Sequence, residues 1–185
     1  MVFISIDKAN VFISTASSYL NENLEWISNV TPTSTNNQSI LWTIECDKDA
    51  INKTSCPNGL VSPTIYGNVN PNPTTTCQTL CTIQNVNNQK YISVGTHDSV
   101  TTESSGYCIN VNYTSTTCKP QDTECTLPSI QMGPSCWNID ITNYSTISFK
   151  NNNYYLCENK GSTFLNKTPS TSSDNCSFNL TYFNQ

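Results

Sequence analysis

The chain has 185 residues, enough to bury a sizeable core within one domain. Only 11% of the residues are charged, against about 25% in an average soluble protein, and the net charge is −5. All eight basic residues are Lys, so the Arg forks that read guanine and grip phosphate are absent, and nucleic acid is excluded as an expected partner. No apolar run of about 18 residues occurs, so no membrane span is expected.

Helical periodicity is weak along the whole chain, and its best window, 16–27, is short and interrupted by Asn, Ser and Glu. Strand patterns are frequent. In chain order they fall at Val2 to Ile6, Val11 to Ser14, Ser39 to Glu45, Leu80 to Gln84, Tyr91 to Val94, Tyr107 to Tyr113, Cys136 to Ile141, Thr146 to Phe149, Tyr154 to Cys157 and Ser177 to Phe183. Each is β-branched or aromatic, and clusters of Asn, Gly, Pro and Ser bound them. Many short strands with frequent turns predict an all-β barrel or sandwich.

One pattern recurs three times. Ile4 is followed eight residues later by Phe12-Ile13, Ile83 by Tyr91-Ile92, and Ile147 by Tyr155-Leu156. Each stretch then reaches an apolar-x-apolar strand: Trp42-Thr43-Ile44, Ile109-Asn110-Val111 and Phe178-Asn179-Leu180. The eight-residue step fits strand, tight turn, strand. The Ser/Thr/Gly-rich segment after it fits a hairpin, and the apolar-x-apolar piece closes the unit.

Three such four-stranded units resemble the β-trefoil, a barrel capped by three hairpins. The Gln-x-Trp signature of ricin-type lectin trefoils is absent, and the pattern is closer to the plain fascin-type strand. The resemblance implies a single domain, 1–185, with lobes near 2–46, 81–113 and 145–183 and two inserts, 47–80 and 114–144. Lobe starts lie farther apart than the roughly 20–50 residues of most repeats, and the Pro-rich inserts account for the excess. The alternative is a disulfide-rich β-sandwich without threefold symmetry.

The ten cysteines are Cys46, Cys56, Cys77, Cys81, Cys108, Cys118, Cys125, Cys136, Cys157 and Cys176. No CxxC pair occurs and only one His is present, which favours a disulfide framework over zinc. Such a framework belongs in an oxidising compartment. Cys46–Cys56 and Cys108–Cys118 share one spacing and are expected to staple the roots of the inserts; Cys157–Cys176 is expected to bridge strands of the third lobe. The segment Met1 to Lys8 lacks a basic start, and Asp7 and Lys8 end its apolar run early, so no signal peptide is expected in this numbering. Eight Asn-x-Ser/Thr sequons are present, at Asn29, Asn37, Asn52, Asn112, Asn143, Asn166, Asn175 and Asn179. About seven would arise by chance in so Asn- and Thr-rich a chain, so they permit glycans on a secreted protein without demanding them.

Catalytic chemistry has little to build on. His97 lies in the apparent turn Gly95-Thr96-His97-Asp98, where a solvated polar residue is ordinary. The acids at Glu45, Asp47 and Asp49 are interrupted by Lys48, and no EF-hand glycine follows. No enzyme activity, cofactor or metal is therefore expected. Aromatic residues are the stronger functional signal. The expectation is a structural protein of a coat, capsid or extracellular assembly, working by surface contact with copies of itself or with coat neighbours. Its contacts are placed in the inserts at Leu60, Val61, Ile65, Tyr66, Ile130, Met132 and Trp137. Two alternatives are a carbohydrate-binding module using Tyr91, Tyr107 and Tyr154, and a secreted inhibitor or toxin-like domain. The expected location is extracellular or on a virion surface.

Overall fold

A computed structural model describes residues 8–32, 37–46, 80–106, 133–141, 146–168 and 173–183. Among these residues the chain is all-β, with twelve strands and two short 3-10 turns. The first four strands are β1 (Lys8–Ser14), β2 (Ser18–Leu20), β3 (Trp26–Ser28) and β4 (Leu41–Cys46). The next four are β5 (Leu80–Asn85), β6 (Tyr91–Val94), β7 (Val100–Glu103) and β8 (Trp137–Ile141). The last four are β9 (Ile147–Asn151), β10 (Tyr154–Asn159), β11 (Ser162–Asn166) and β12 (Asn179–Tyr182).

Local polar chemistry sets the turns between them. Asn21 Oδ1 accepts the backbone N–H groups of Asn23 and Glu25, both at 2.9 Å, and bends the chain from β2 to β3. Asn85 Oδ1 does the same for Asn87 and Asn88 after β5, and Thr15 Oγ1 for Ser17 and Ser18 after β1. Lys160 and Gly161 both have positive φ, 50° and 83°, in the two-residue turn between β10 and β11. Paired positive φ matches the twist of a tight hairpin.

Every strand pair is antiparallel, and the pairing repeats by unit. Within units, Val11 faces Trp42, Cys81 faces Trp137, and Ile147 faces Phe178. Between units, Thr43 faces Gln84, Asn138 faces Lys150, and Ser14 faces Asn179. The hairpins β2–β3 and β10–β11 form the two ends of the sheet, and the hairpin β6–β7 branches from β5. No ladder joins β9 to β12, so the ladders make one sheet rather than a barrel closed by ladders on every side. The gap is crossed by the bridge between Ile147 and Phe178, with hydrogen bonds of 2.9 and 2.8 Å.

The core follows these registers. Ile13, Ile83 and Phe149 lie two residues past the facing residues Val11, Cys81 and Ile147; with Leu20, Ile92 and Leu156 of β2, β6 and β10 and the partners Trp42, Trp137 and Phe178 they are buried in one cluster. Burying each such side chain contributes about 1.5–3 kcal/mol. Trp42 Nε1–H donates to the Leu20 carbonyl and Trp137 Nε1–H to the Ile92 carbonyl, both at 2.9 Å, so two units close with the same indole bond.

The strand expected at Cys136 to Ile141 is present as β8, and it pairs with β5 and β9 although it lies within the bounds expected for the second insert. The piece expected to close that unit, Ile109 to Val111, lies outside the described residues, as do Ile4 and the strand expected at Val2 to Ile6. The register of the first unit also shifts. Tyr19, not Phe12, stands with Tyr91 and Tyr155 at the start of the second strand. Phe12 is buried on the opposite face, with Ile40 and Leu41, and packs against Tyr19 and Phe183. Their upstream counterparts are Ile13, Ile83 and Phe149, so Ile147 sits two residues before the position expected for it. The cause is the Asn85–Lys90 turn, which is two residues longer than its counterparts.

Candidate functional site

The strands bring the roots of the two long segments onto anchored backbone. At the first root, Cys46 ends β4 directly opposite Cys81 at the start of β5. Lys8 and Glu45 pair there at 3.5 Å, both exposed, which is worth little energy in water. At the second root the chain leaves β7 past Gly106, whose Cα lies so close to Tyr91 that an added Cβ would sit 2.4 Å from the ring. It returns at Gly133 to Cys136. Here Asn151 Nδ2 donates to the carbonyls of Cys136 at 2.7 Å and Gly133 at 3.0 Å, with Pro134 at 3.4 Å. Val94 N–H donates to the Pro134 carbonyl at 2.8 Å. Asn151 is buried, so its amide satisfies backbone acceptors that would otherwise be costly to bury.

Asn85 repeats this device in the first unit. Its Nδ2 reaches the carbonyls of Ser39 at 2.9 Å and Leu41 at 3.3 Å, ahead of Trp42. In the sequence both read only as turn residues, Asn85 opening the polar stretch 85–90 and Asn151 the run 151–153. Each ends a strand, β5 or β9, whose preceding partner strand carries a Trp: Trp42 in β4 and Trp137 in β8.

The contact candidates Leu60, Val61, Ile65, Tyr66, Ile130 and Met132 lie outside the described residues. Trp137 corrects the expectation placed on it: it is fully buried in the core and bonded to Ile92, so it is no docking side chain. Of the glycan candidates, Tyr107 lies outside the described residues. Tyr91 is half-buried against Gly106 and registers with Glu103. Tyr154 is half-buried; its hydroxyl donates to Asp98 Oδ2 at 2.8 Å, and Lys167 Nζ stands 5.5 Å from its ring centroid. His97 and Asp98 beside it both have φ of 56°, left-handed conformations that His and Asp tolerate better than most residues. Tyr91 and Tyr154 make no ring contact with each other.

The disulfide expected at Cys157–Cys176 is present, with the two Cα atoms 4.1 Å apart. It flanks the hydrogen-bonded pair Glu158–Asn175, at the close-approach position of an antiparallel bridge. Cys81 and Cys136 are disulfide-bonded as well. The cysteines Cys56, Cys77, Cys108, Cys118 and Cys125 lie outside the described residues, and with them both root pairings. Disulfides of this kind indicate an oxidising setting. Among the described residues, no group of three or more His, Cys, Asp or Glu is placed to hold a metal ion, and no helix is long and apolar enough to cross a membrane. No protein-family model matches the chain, and no curated protein matches it.

Proposed function

We propose that the chain is a β-trefoil that serves as a non-enzymatic contact protein of an extracellular or coat assembly. The trefoil reading is supported by the three-times-repeated register and by the three hairpins β2–β3, β6–β7 and β10–β11. In this reading the Ile147–Phe178 bridge completes the barrel where no ladder does. The lobes become 8–46, 80–141 and 147–182, with the second insert lying inside the second lobe.

The observation that carries the functional reading is the anchoring of both insert roots. Asn151 alone spends its amide on three carbonyls at one root, and paired strands hold the other. Fixing the roots lowers the entropy lost when a loop docks on a partner. A surface with few charges repels neighbours weakly, which suits close packing. The contacts are assigned to Leu60, Val61, Ile65, Tyr66, Ile130 and Met132, without Trp137.

Sedimentation velocity on the full chain and on variants with 48–78 or 108–131 replaced by short Gly/Ser linkers tests this. Loss of assembly with a normal near-ultraviolet spectrum is expected. Unchanged assembly of both variants overturns it.

A second reading has one specific observation behind it: Tyr154 and Asp98 set an aromatic ring beside a carboxylate, the pair that grips a sugar. Binding to a glycan array that Y154A abolishes, in a chain that sediments as a monomer, would favour carbohydrate recognition instead.

A further inference from the structure

Five of the eight sequons fall among the described residues, and the structure separates them. Asn37 Nδ2 donates to the Thr31 carbonyl at 2.8 Å, and Asn166 Nδ2 to Asp174 Oδ2 at 3.3 Å. Asn175 is bridged to Glu158 through both backbone groups, and its Oδ1 accepts the Ser177 N–H at 3.2 Å. The middle residue of its sequon, Cys176, is buried and bonded to Cys157. Asn179 lies within β12, opposite Ser14 of β1.

Asn29 differs from all four. It is exposed, its side chain makes no hydrogen bond among the described residues, and it holds φ of 62° in the turn that leaves β3. Its sequon alternates. Asn29 and Thr31 face solvent, while Val30 between them packs inward against Phe12, Ile40 and Leu41. The bond from Asn37 to the Thr31 carbonyl braces the end of the tripeptide.

We propose that Asn29 is an N-glycan acceptor, a reading that rests on the extracellular setting proposed above. The donor is an oligosaccharide linked through a diphosphate to a membrane lipid. The Asn29 amide nitrogen attacks the anomeric carbon and loses one proton; the new N–C bond forms as the C–O bond to phosphate breaks, and the lipid diphosphate departs. No redox change occurs. A glycan here disturbs no hydrogen bond of the fold, because the Asn29 side chain makes none. It would also stand over Ile27 and Val30, the half-buried edge of the outer apolar cluster, and hide that edge from solvent. The first unit would then present a sugar-covered face, leaving assembly contacts to the rest of the molecule.

The test is translation of the full chain behind a cleavable leader into microsomes, with protease protection to select translocated chains. Glycosidase release in heavy-oxygen water followed by peptide mass spectrometry then reads each site. Asn29 is expected to be occupied, N29Q and T31A are each expected to lose one glycan step in mass, and N175Q and N179Q are expected to lose none. Translocated chains with an unmodified Asn29, or with Asn175 and Asn179 occupied as fully as Asn29, overturn the proposal. Because the leader forces entry, either result counts against the site and leaves the extracellular reading untouched.

Discussion

The first two units and the third solve one closing problem with different chemistry. In units one and two a Trp at the head of the closing strand fills the core, and its indole N–H ties that strand to the hairpin at Leu20 or Ile92. Unit three has Phe178 at that position, which has no donor. Its ring stacks on Trp26 at 4.9 Å and lies 6.2 Å from Phe149, and the covalent Cys157–Cys176 link joins β10 to the segment before β12. Trp26 in turn donates to Thr163 Oγ1 at 2.9 Å, so the hairpin of unit one is tied to that of unit three. An indole hydrogen bond thus ties the Trp42 and Trp137 strands to their hairpins, whereas Phe178 is held by ring stacking beside the Cys157–Cys176 link.

The largest effect is expected at Trp137. If β8 is the true counterpart of β4, W137A and W42A should each cost about 3–5 kcal/mol in urea unfolding, since both empty a fully buried site. A loss at Trp137 well below that at Trp42 breaks the equivalence. Next comes the covalent tie: C157A/C176A closes no 19-residue loop in the unfolded chain and should cost about 2–4 kcal/mol, seen as a lower thermal midpoint. No reducing-agent effect on the parent midpoint would contradict it.

How far the sequence led is clearest at these same residues. The strand patterns led to the all-β class, and Trp42-Thr43-Ile44 lies in β4 while Phe178-Asn179-Leu180 runs from a bridge into β12. The third, Trp137-Asn138-Ile139, repeats the first almost letter for letter. Ile109-Asn110-Val111, expected to close the second unit, carries the same apolar-x-apolar signature at a distance nearer the usual repeat length and lies outside the described residues. The first-unit register slipped for a related reason. Phe12-Ile13 and Tyr19-Leu20 are both aromatic-aliphatic pairs preceded eight residues earlier by a β-branched residue, so spacing alone does not choose between them. What chooses is the sheet, which turns Phe12 outward and Ile13 inward. Asn151 was legible only as a turn former, because its amide's partners are backbone carbonyls more than a dozen residues away in the chain.

Smaller effects sharpen the picture. N151A leaves the Cys136 and Gly133 carbonyls without their buried donor and should cost about 1–3 kcal/mol. N85A should cost a similar amount in unit one, and a chemical-denaturation series on both variants checks the parallel. Y154F removes an exposed bond to Asp98 and should change stability by less than about 0.5 kcal/mol. A larger loss would mean that the Tyr154–Asp98 pair supports the fold rather than a surface role.

The central claim is that three equivalent units, with β8 closing the second, form one cooperative scaffold. Amide hydrogen exchange on the full chain, read peptide by peptide, tests it most directly. The account predicts that peptides covering Trp137–Ile141 exchange as slowly as those covering Leu41–Cys46 and Ile147–Asn151, through the same global unfolding. Exchange of 137–141 orders of magnitude faster than its neighbours in β5 and β9 would contradict it and return that segment to the insert.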